Sequence, residues 1–116
     1  MTLPLYQVDA FTTELFKGNP AAVVPLPAWL PEATMQRIAM ENNLAETAFF
    51  VPLYPGAPGG ADYHIRWFTP TLEIDLCGHA TVATAFVIDK MLKTGEKHIT
   101  FSTQTAGYLK VTIQDD

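Results

Sequence analysis

The stretch Asp75-Leu-Cys-Gly-His-Ala-Thr-Val-Ala-Thr-Ala-Phe-Val-Ile88 constrains the fold more than any other part of this 116-residue chain. It reads as a short strand or loop, a glycine hinge at Gly78, and then a helix from about His79 to Lys93. Through Ile88 the helix is apolar almost all round (Ala80, Val82, Ala83, Ala85, Phe86, Val87), and its charges Asp89, Lys90 and Lys93 come only at the end. A helix of that kind belongs inside a core. At 1.5 Å per residue it spans about 22 Å, enough to cross a small domain. Its first turn collects Gly78, His79 and Thr81, which burial alone does not require. Free backbone N–H groups and the positive dipole end make that turn a natural place for a carboxylate. The chemistry is expected there.

The elements around it follow from local pattern. Leu5 to Phe11 alternates loosely as an opening strand, and Lys17-Gly18-Asn19-Pro20 is a turn, since Gly and Asn tolerate positive φ and Pro blocks a central strand. Ala21 to Leu26 is a short apolar strand. Pro31 to Asn42 reads as a surface helix, with proline and Glu32 at its start and Met35, Ile38 and Ala39 as its apolar stripe. Thr47 to Val51 is a strand, and Pro52 to Ala61 is a loop of prolines and glycines. Asp62 to Thr69 alternates strictly, Tyr63, Ile65 and Trp67 against His64, Arg66 and Phe68, and should pair with Thr47–Val51 as a hairpin. His98–Ser102 and Gly107–Gln114 form a second hairpin, with Leu109, Val111 and Ile113 inward. About six strands and two helices make an α+β domain. Its simplest form is a curved mixed sheet, a partial barrel, wrapped around the central apolar helix.

Composition narrows the partners. A net charge of −5 with scattered Lys and Arg argues against nucleic acid or an anionic membrane. No apolar stretch approaches the ~20 residues of a membrane span, and no secretory leader is visible after Met1. A single cysteine rules out an internal disulfide framework and suits the reducing cytosol. The expected location is cytoplasmic, for one domain over residues 1–116.

Three clusters hold residue types that chemistry uses. In Asn43-Leu-Ala-Glu46-Thr-Ala, a carboxylate precedes the aromatic pair Phe49 and Phe50, whose burial would raise its pKa toward a general acid/base; most lone acids are simply solvated. In Cys77-Gly78-His79, a thiol and an imidazole meet a helix N-terminus, although lone cysteines are commonly inert core residues. Zinc is not expected, because His64, His79, His98 and Cys77 lack close ligand spacing. The Gly18-Asn19 turn could present an amide to a small polar ligand.

Taken together, Val8-Asp-Ala-Phe-Thr, Phe16-Lys-Gly-Asn-Pro-Ala-Ala-Val, Met35-Gln-x-Ile-Ala, Asn43-Leu-Ala-Glu-Thr-Ala-Phe, Arg66-Trp-Phe-Thr-Pro and Cys77-Gly-His-Ala-Thr resemble the PhzF-like phenazine biosynthesis family, similar in fold to diaminopimelate epimerase. The resemblance spans almost all of residues 6–88. It implies a cofactor-independent, metal-free isomerase or epimerase-like enzyme that moves a proton on a small carboxylate-bearing substrate. It also implies two similar halves with the site between them, of which this chain is the N-terminal one. By resemblance Glu46 transfers the proton, Gly78 and His79 hold substrate, and Asn19 shapes the site. Cys77 stands where the diaminopimelate epimerase branch has a catalytic thiol, but that branch needs a second cysteine. The alternative is a non-catalytic small-molecule-binding or assembly module keeping the half-fold. An uncovered apolar face implies a homodimer formed near Gly78.

Overall fold

The computed structural model describes residues 3–8, 20–95 and 97–113. Among these residues seven strands form one open mixed sheet: β1 (Tyr6–Val8), β2 (Ala21–Pro25), β3 (Glu46–Pro52), β4 (Tyr63–Phe68), β5 (Glu73–Ile74), β6 (His98–Ser102) and β7 (Tyr108–Thr112). Helix α1 (Glu32–Asn42) joins β2 to β3, and α2 (Gly78–Phe86) precedes β6. The order across the sheet is β1-β2-β3-β4-β6-β7, with β5 paired to β4 off that path. Among the described residues no helix is long and apolar enough to cross a membrane.

The apolar run at Ala21–Val24 is buried on both faces, because two helices cover the sheet from opposite sides. Ala21, Val23, Ala48, Phe50, Ile65 and Trp67 pack with Ala80 and Ala83 of α2. Val24, Phe49, Val51 and Phe68 pack with Met35 and Ala39 of α1. This division follows from chain direction. Strands β2 and β3 are parallel, as are β4 and β6, whereas β3 and β4 are antiparallel. Both crossovers step the same way across the sheet, but their starting strands run oppositely. Crossovers of one hand must then place their helices on opposite faces.

The hairpin of β3 with β4 forms as expected, in the register Thr47↔Phe68 to Pro52↔Tyr63. The β6–β7 hairpin also forms, with Leu109 and Val111 against the core and Tyr108, Lys110 and Thr112 exposed. Pro31 caps α1 in an extended conformation, and Asn43 ends it at φ 53° with its N–H donating to the Ala39 carbonyl at 3.2 Å. Of the opening strand expected over Leu5–Phe11, the part described is Tyr6–Val8. Its continuation to Phe11 and the Lys17–Asn19 turn lie outside the described residues.

Two features of the central helix differ from the reading of its sequence. The α-helical part ends at Phe86 and continues as a π-turn over Val87–Met91, where the Leu92 N–H reaches back to the Val87 carbonyl. Nor is it covered all round. Ala80, Thr81, Ala83, Thr84 and Ala85 are buried, but Gly78 and Val82 are exposed and Phe86 half-buried. At four-residue spacing these three form a single uncovered stripe. Gly78 is not a hinge in positive φ; it is simply the first residue of α2. Strand β5 had no sequence signal, since two residues are too few to show a period.

Arg66 ties three of these elements together. Its Nε and Nη2 donate to the Glu73 carboxylate of β5, both at 2.7 Å, and Nη2 also reaches Glu32 of α1 at 2.7 Å. The guanidinium lies over the rings of Trp29 and Phe68, 5.6 and 5.5 Å from their centres. Glu32 is 70% exposed and Glu73 22%. Arg66→Gln should therefore cost about 1.5–3 kcal/mol, the range of charge-assisted bonds. Glu32→Gln should cost less than about 1 kcal/mol, as exposed pairs do. Urea unfolding midpoints of the two variants check the contrast.

Candidate active site

The sheet register brings the residues singled out from the sequence to one place. Glu46 is the first residue of β3, beside the end of β4, since Thr47 pairs with Phe68. From β4 the chain turns at Thr69–Leu72, runs back as β5 along Trp67 and Phe68, and reaches α2 within a few residues. Cys77 is the N-cap of α2, and Gly78 and His79 are its first two residues. Asn19 lies outside the described residues.

His79 Nε2 is 2.5 Å from Glu46 Oε1, and His79 Nδ1 is 3.6 Å from Cys77 Sγ. Glu46 and His79 are 16% and 18% exposed, so the pair is shielded but reachable. Cys77 is buried. Burial pushes its thiol up to about 11, reinforced by the nearby Glu46 carboxylate and only partly opposed by the N–H groups of Ala80 and His79. The sulfur therefore keeps its proton at neutral pH and can donate it to Nδ1. Nε2 is the ring nitrogen that faces the Glu46 carboxylate, and Nδ1 the one that faces the sulfur. Thiol, imidazole and carboxylate form a cluster of three groups, with Glu46 close to both His79 and Cys77.

The sequence reading considered His64, His79, His98 and Cys77 for metal and found no ligand spacing. His64 and His98 indeed bond elsewhere, to the hydroxyls of Ser102 and Thr112. The fold adds Glu46 instead, and one donor atom each of Glu46, Cys77 and His79 lies within 4.8 Å of the others. The imidazole turns a different nitrogen to each of its two neighbours.

Glu46 was expected to gain its chemistry from Phe49 and Phe50. The two rings divide between the faces of the sheet, Phe49 with α1 and Phe50 with α2. The groups that face the carboxylate are the His79 imidazole and the Cys77 thiol. Gly78 is exposed, and a Cβ built on it would meet nothing within 4 Å. An open cavity of about 380 Å³, lined by residues of the 52–63 loop including Tyr54 and Asp62, lies at the other end of β3 and contains none of these groups.

Sequence reasoning missed the buried support behind the site. Trp67 Nε1 donates to Thr81 Oγ1 at 3.0 Å, and Thr81 Oγ1 donates to the Cys77 carbonyl at 2.8 Å. Thr81 had been noticed in the first turn, but nothing local links it to a tryptophan of another strand.

Known proteins share this sequence pattern and fold. A family model described as phenazine biosynthesis-like protein matches residues 8–116. An uncharacterized isomerase of Pseudomonas aeruginosa is 51% identical over 116 residues, which is all of this chain and 42% of that protein. The human phenazine biosynthesis-like domain-containing protein is 43% identical over 118 residues, covering all of this chain and 41% of its own length. A crystal structure of a PhzF-family phenazine biosynthesis protein from Enterococcus faecalis superposes with a TM-score of 0.85 at 55% identity, over 99% of this chain and 42% of that one. A predicted epimerase from Pseudomonas aeruginosa gives 0.75 at 25% identity, over 98% and 39%. The chain thus spans about two fifths of the length of these relatives. With fold, motifs and family model in agreement, the chain belongs to the PhzF-like phenazine biosynthesis family.

Proposed function

We propose that the chain is the N-terminal half of a cofactor-independent isomerase that moves a proton on a small carboxylate-bearing molecule. The 2.5 Å contact between Glu46 and His79 at the N-terminus of α2 carries this reading. Related proteins named as isomerases and as a predicted epimerase support it. In the whole protein the sheet curls about α2 as a partial barrel, and a second, similar half closes over the stripe of Gly78, Val82 and Phe86.

In this reading Glu46 is the general acid/base. Its Oε1 lies 2.5 Å from His79 Nε2, which holds the carboxylate at the end of α2. The carboxylate forms an O–H bond as a C–H bond beside the substrate carboxyl group breaks. The electron pair stays on the substrate, and the same proton returns to a different position or face. The substrate's own carboxylate is held at the N-terminal turn of α2, by the Gly78 N–H and the helix dipole. Cys77, kept neutral by burial, supports the imidazole and does not attack. An alternative reading, a binding or assembly module without turnover, keeps the carboxylate site but gives Glu46 no proton to carry.

Two variants of the full-length protein separate these roles. Glu46→Gln preserves shape and should lower kcat by about 10²–10⁴-fold, whereas Cys77→Ala should leave most of the activity. Equal losses would move the mechanism to the thiol, and near-normal turnover by Glu46→Gln would remove the carboxylate from it.

Gly78→Ala tests the substrate contact. Neither φ nor packing requires glycine here, so the folded chain should be unchanged or stabilised by up to about 1 kcal/mol. A methyl group facing the ligand should nonetheless raise KM. An unaltered KM would sink the assignment.

We also propose that the 116-residue chain forms a homodimer through this end. Leu72, Leu76 and Val82 are 53%, 55% and 45% exposed around the start of α2, and a second copy covers them most simply. Light scattering at micromolar concentration should give twice the monomer mass; a clean monomer excludes the dimer.

A further inference from the structure

The peptide between Cys77 and Gly78 is planar and trans, so its C=O and N–H point in opposite directions. The N–H leaves the helix end toward the site, and the C=O enters the helix. Whatever grips that oxygen from inside also sets the direction of the Gly78 N–H outside. Two groups grip it, both from Thr81: the backbone N–H at 3.1 Å and the side-chain hydroxyl at 2.8 Å. The hydroxyl is in turn held by the Trp67 indole N–H at 3.0 Å. Trp67 and Thr81 are 2% and 3% exposed, so water does not compete for these bonds. Through this line the position of β4, and with it that of β3 and Glu46, is transmitted to the first turn of α2.

An ordinary threonine stands one turn later for comparison. Thr84 is fully buried and donates to the Ala80 carbonyl at 2.8 Å, the same i−4 bond. Its hydroxyl takes no indole N–H from the sheet, and its carbonyl lies one turn inside the helix. Back-bonding alone therefore does not distinguish Thr81. The link to Trp67 and the place of Cys77 at the helix end do.

We propose that Thr81 is a positioning residue: with Trp67 it orients the Cys77–Gly78 peptide, and thereby holds the Gly78 N–H and the His79 imidazole in line with Glu46. The purpose assigned to it rests on the isomerase reading of the site. Its geometry can be tested without turnover, so failure of one is distinguishable from failure of the other.

Cys77 is the single cysteine of the chain, which makes its alkylation a local probe of the helix end. In Thr81→Val, which keeps shape and removes the hydroxyl, iodoacetamide should modify Cys77 about 5–30-fold faster, the effect of one lost buried bond on a local opening equilibrium. Thr81→Ser should restore the slow rate, and Thr84→Val should leave it near that of the parent chain. Nitrogen-15 spectra should show the same His79 ring shifts in the parent and Thr81→Ser, and altered ones in Thr81→Val. Amide exchange at Ile99 and Phe101 in β6 should not change by the same factor. If β6 opens equally, or Thr84→Val exposes Cys77 as much as Thr81→Val, the hydroxyl serves the fold at large and the assignment fails. The same conclusion follows if the His79 ring shifts do not respond.

Discussion

Everything in this structure depends on a sheet whose middle strands must be covered on both faces. Ala21–Val24, Phe49, Phe50, Ile65, Trp67 and Phe68 are all at most 2% exposed. At roughly 1.5–3 kcal/mol for each large side chain removed from water, no arrangement that bares one face of β2, β3 and β4 competes. The chain supplies one helix for each face. The antiparallel step between β3 and β4 reverses chain direction between the two crossovers, and that reversal sends the second helix to the opposite side.

The site is a by-product of this arrangement. Strand β3 starts where β4 ends, and the short β5 returns the chain along the same end of β4 before α2 begins. A carboxylate at the start of one element and an imidazole at the start of another are brought to 2.5 Å by register alone. Neither needs to be in a loop, so both are supported by rigid elements. The Arg66 clamp strengthens the same end, because it binds β5 to β4 and to α1.

The three neighbours Glu46, His79 and Cys77 differ most in what water allows them. Burial leaves the sulfur protonated, with a pKa of about 11, so the group of greatest intrinsic nucleophilicity is silenced. Glu46 and His79 keep 16% and 18% of their side-chain surface exposed, so a small molecule can reach them. The open N-terminal turn of α2 adds a fixed positive field without a charged side chain, which a chain of net charge −5 would otherwise have to find elsewhere.

Much of this was legible in the chain itself, wherever the signal was local. Strict alternation at Asp62–Thr69 specified β4 and its two faces, the proline and glycine punctuation bounded the loops, and the Cys77-Gly78-His79 turn ahead of an apolar run marked the helix end where chemistry would collect. The family motifs singled out Glu46 as well. What the sequence could not determine was anything that depends on two segments meeting. Glu46 and His79 are 33 positions apart, and only the register of β3 on β4 makes them partners. The same holds for Trp67 and Thr81, joined by a hydrogen bond between a strand and a helix. The uncovered stripe of α2 was invisible for a related reason: alanine, valine and phenylalanine look alike in a pattern whether or not a neighbour covers them. Local propensity decides which elements form, but burial and register are properties of the packed chain.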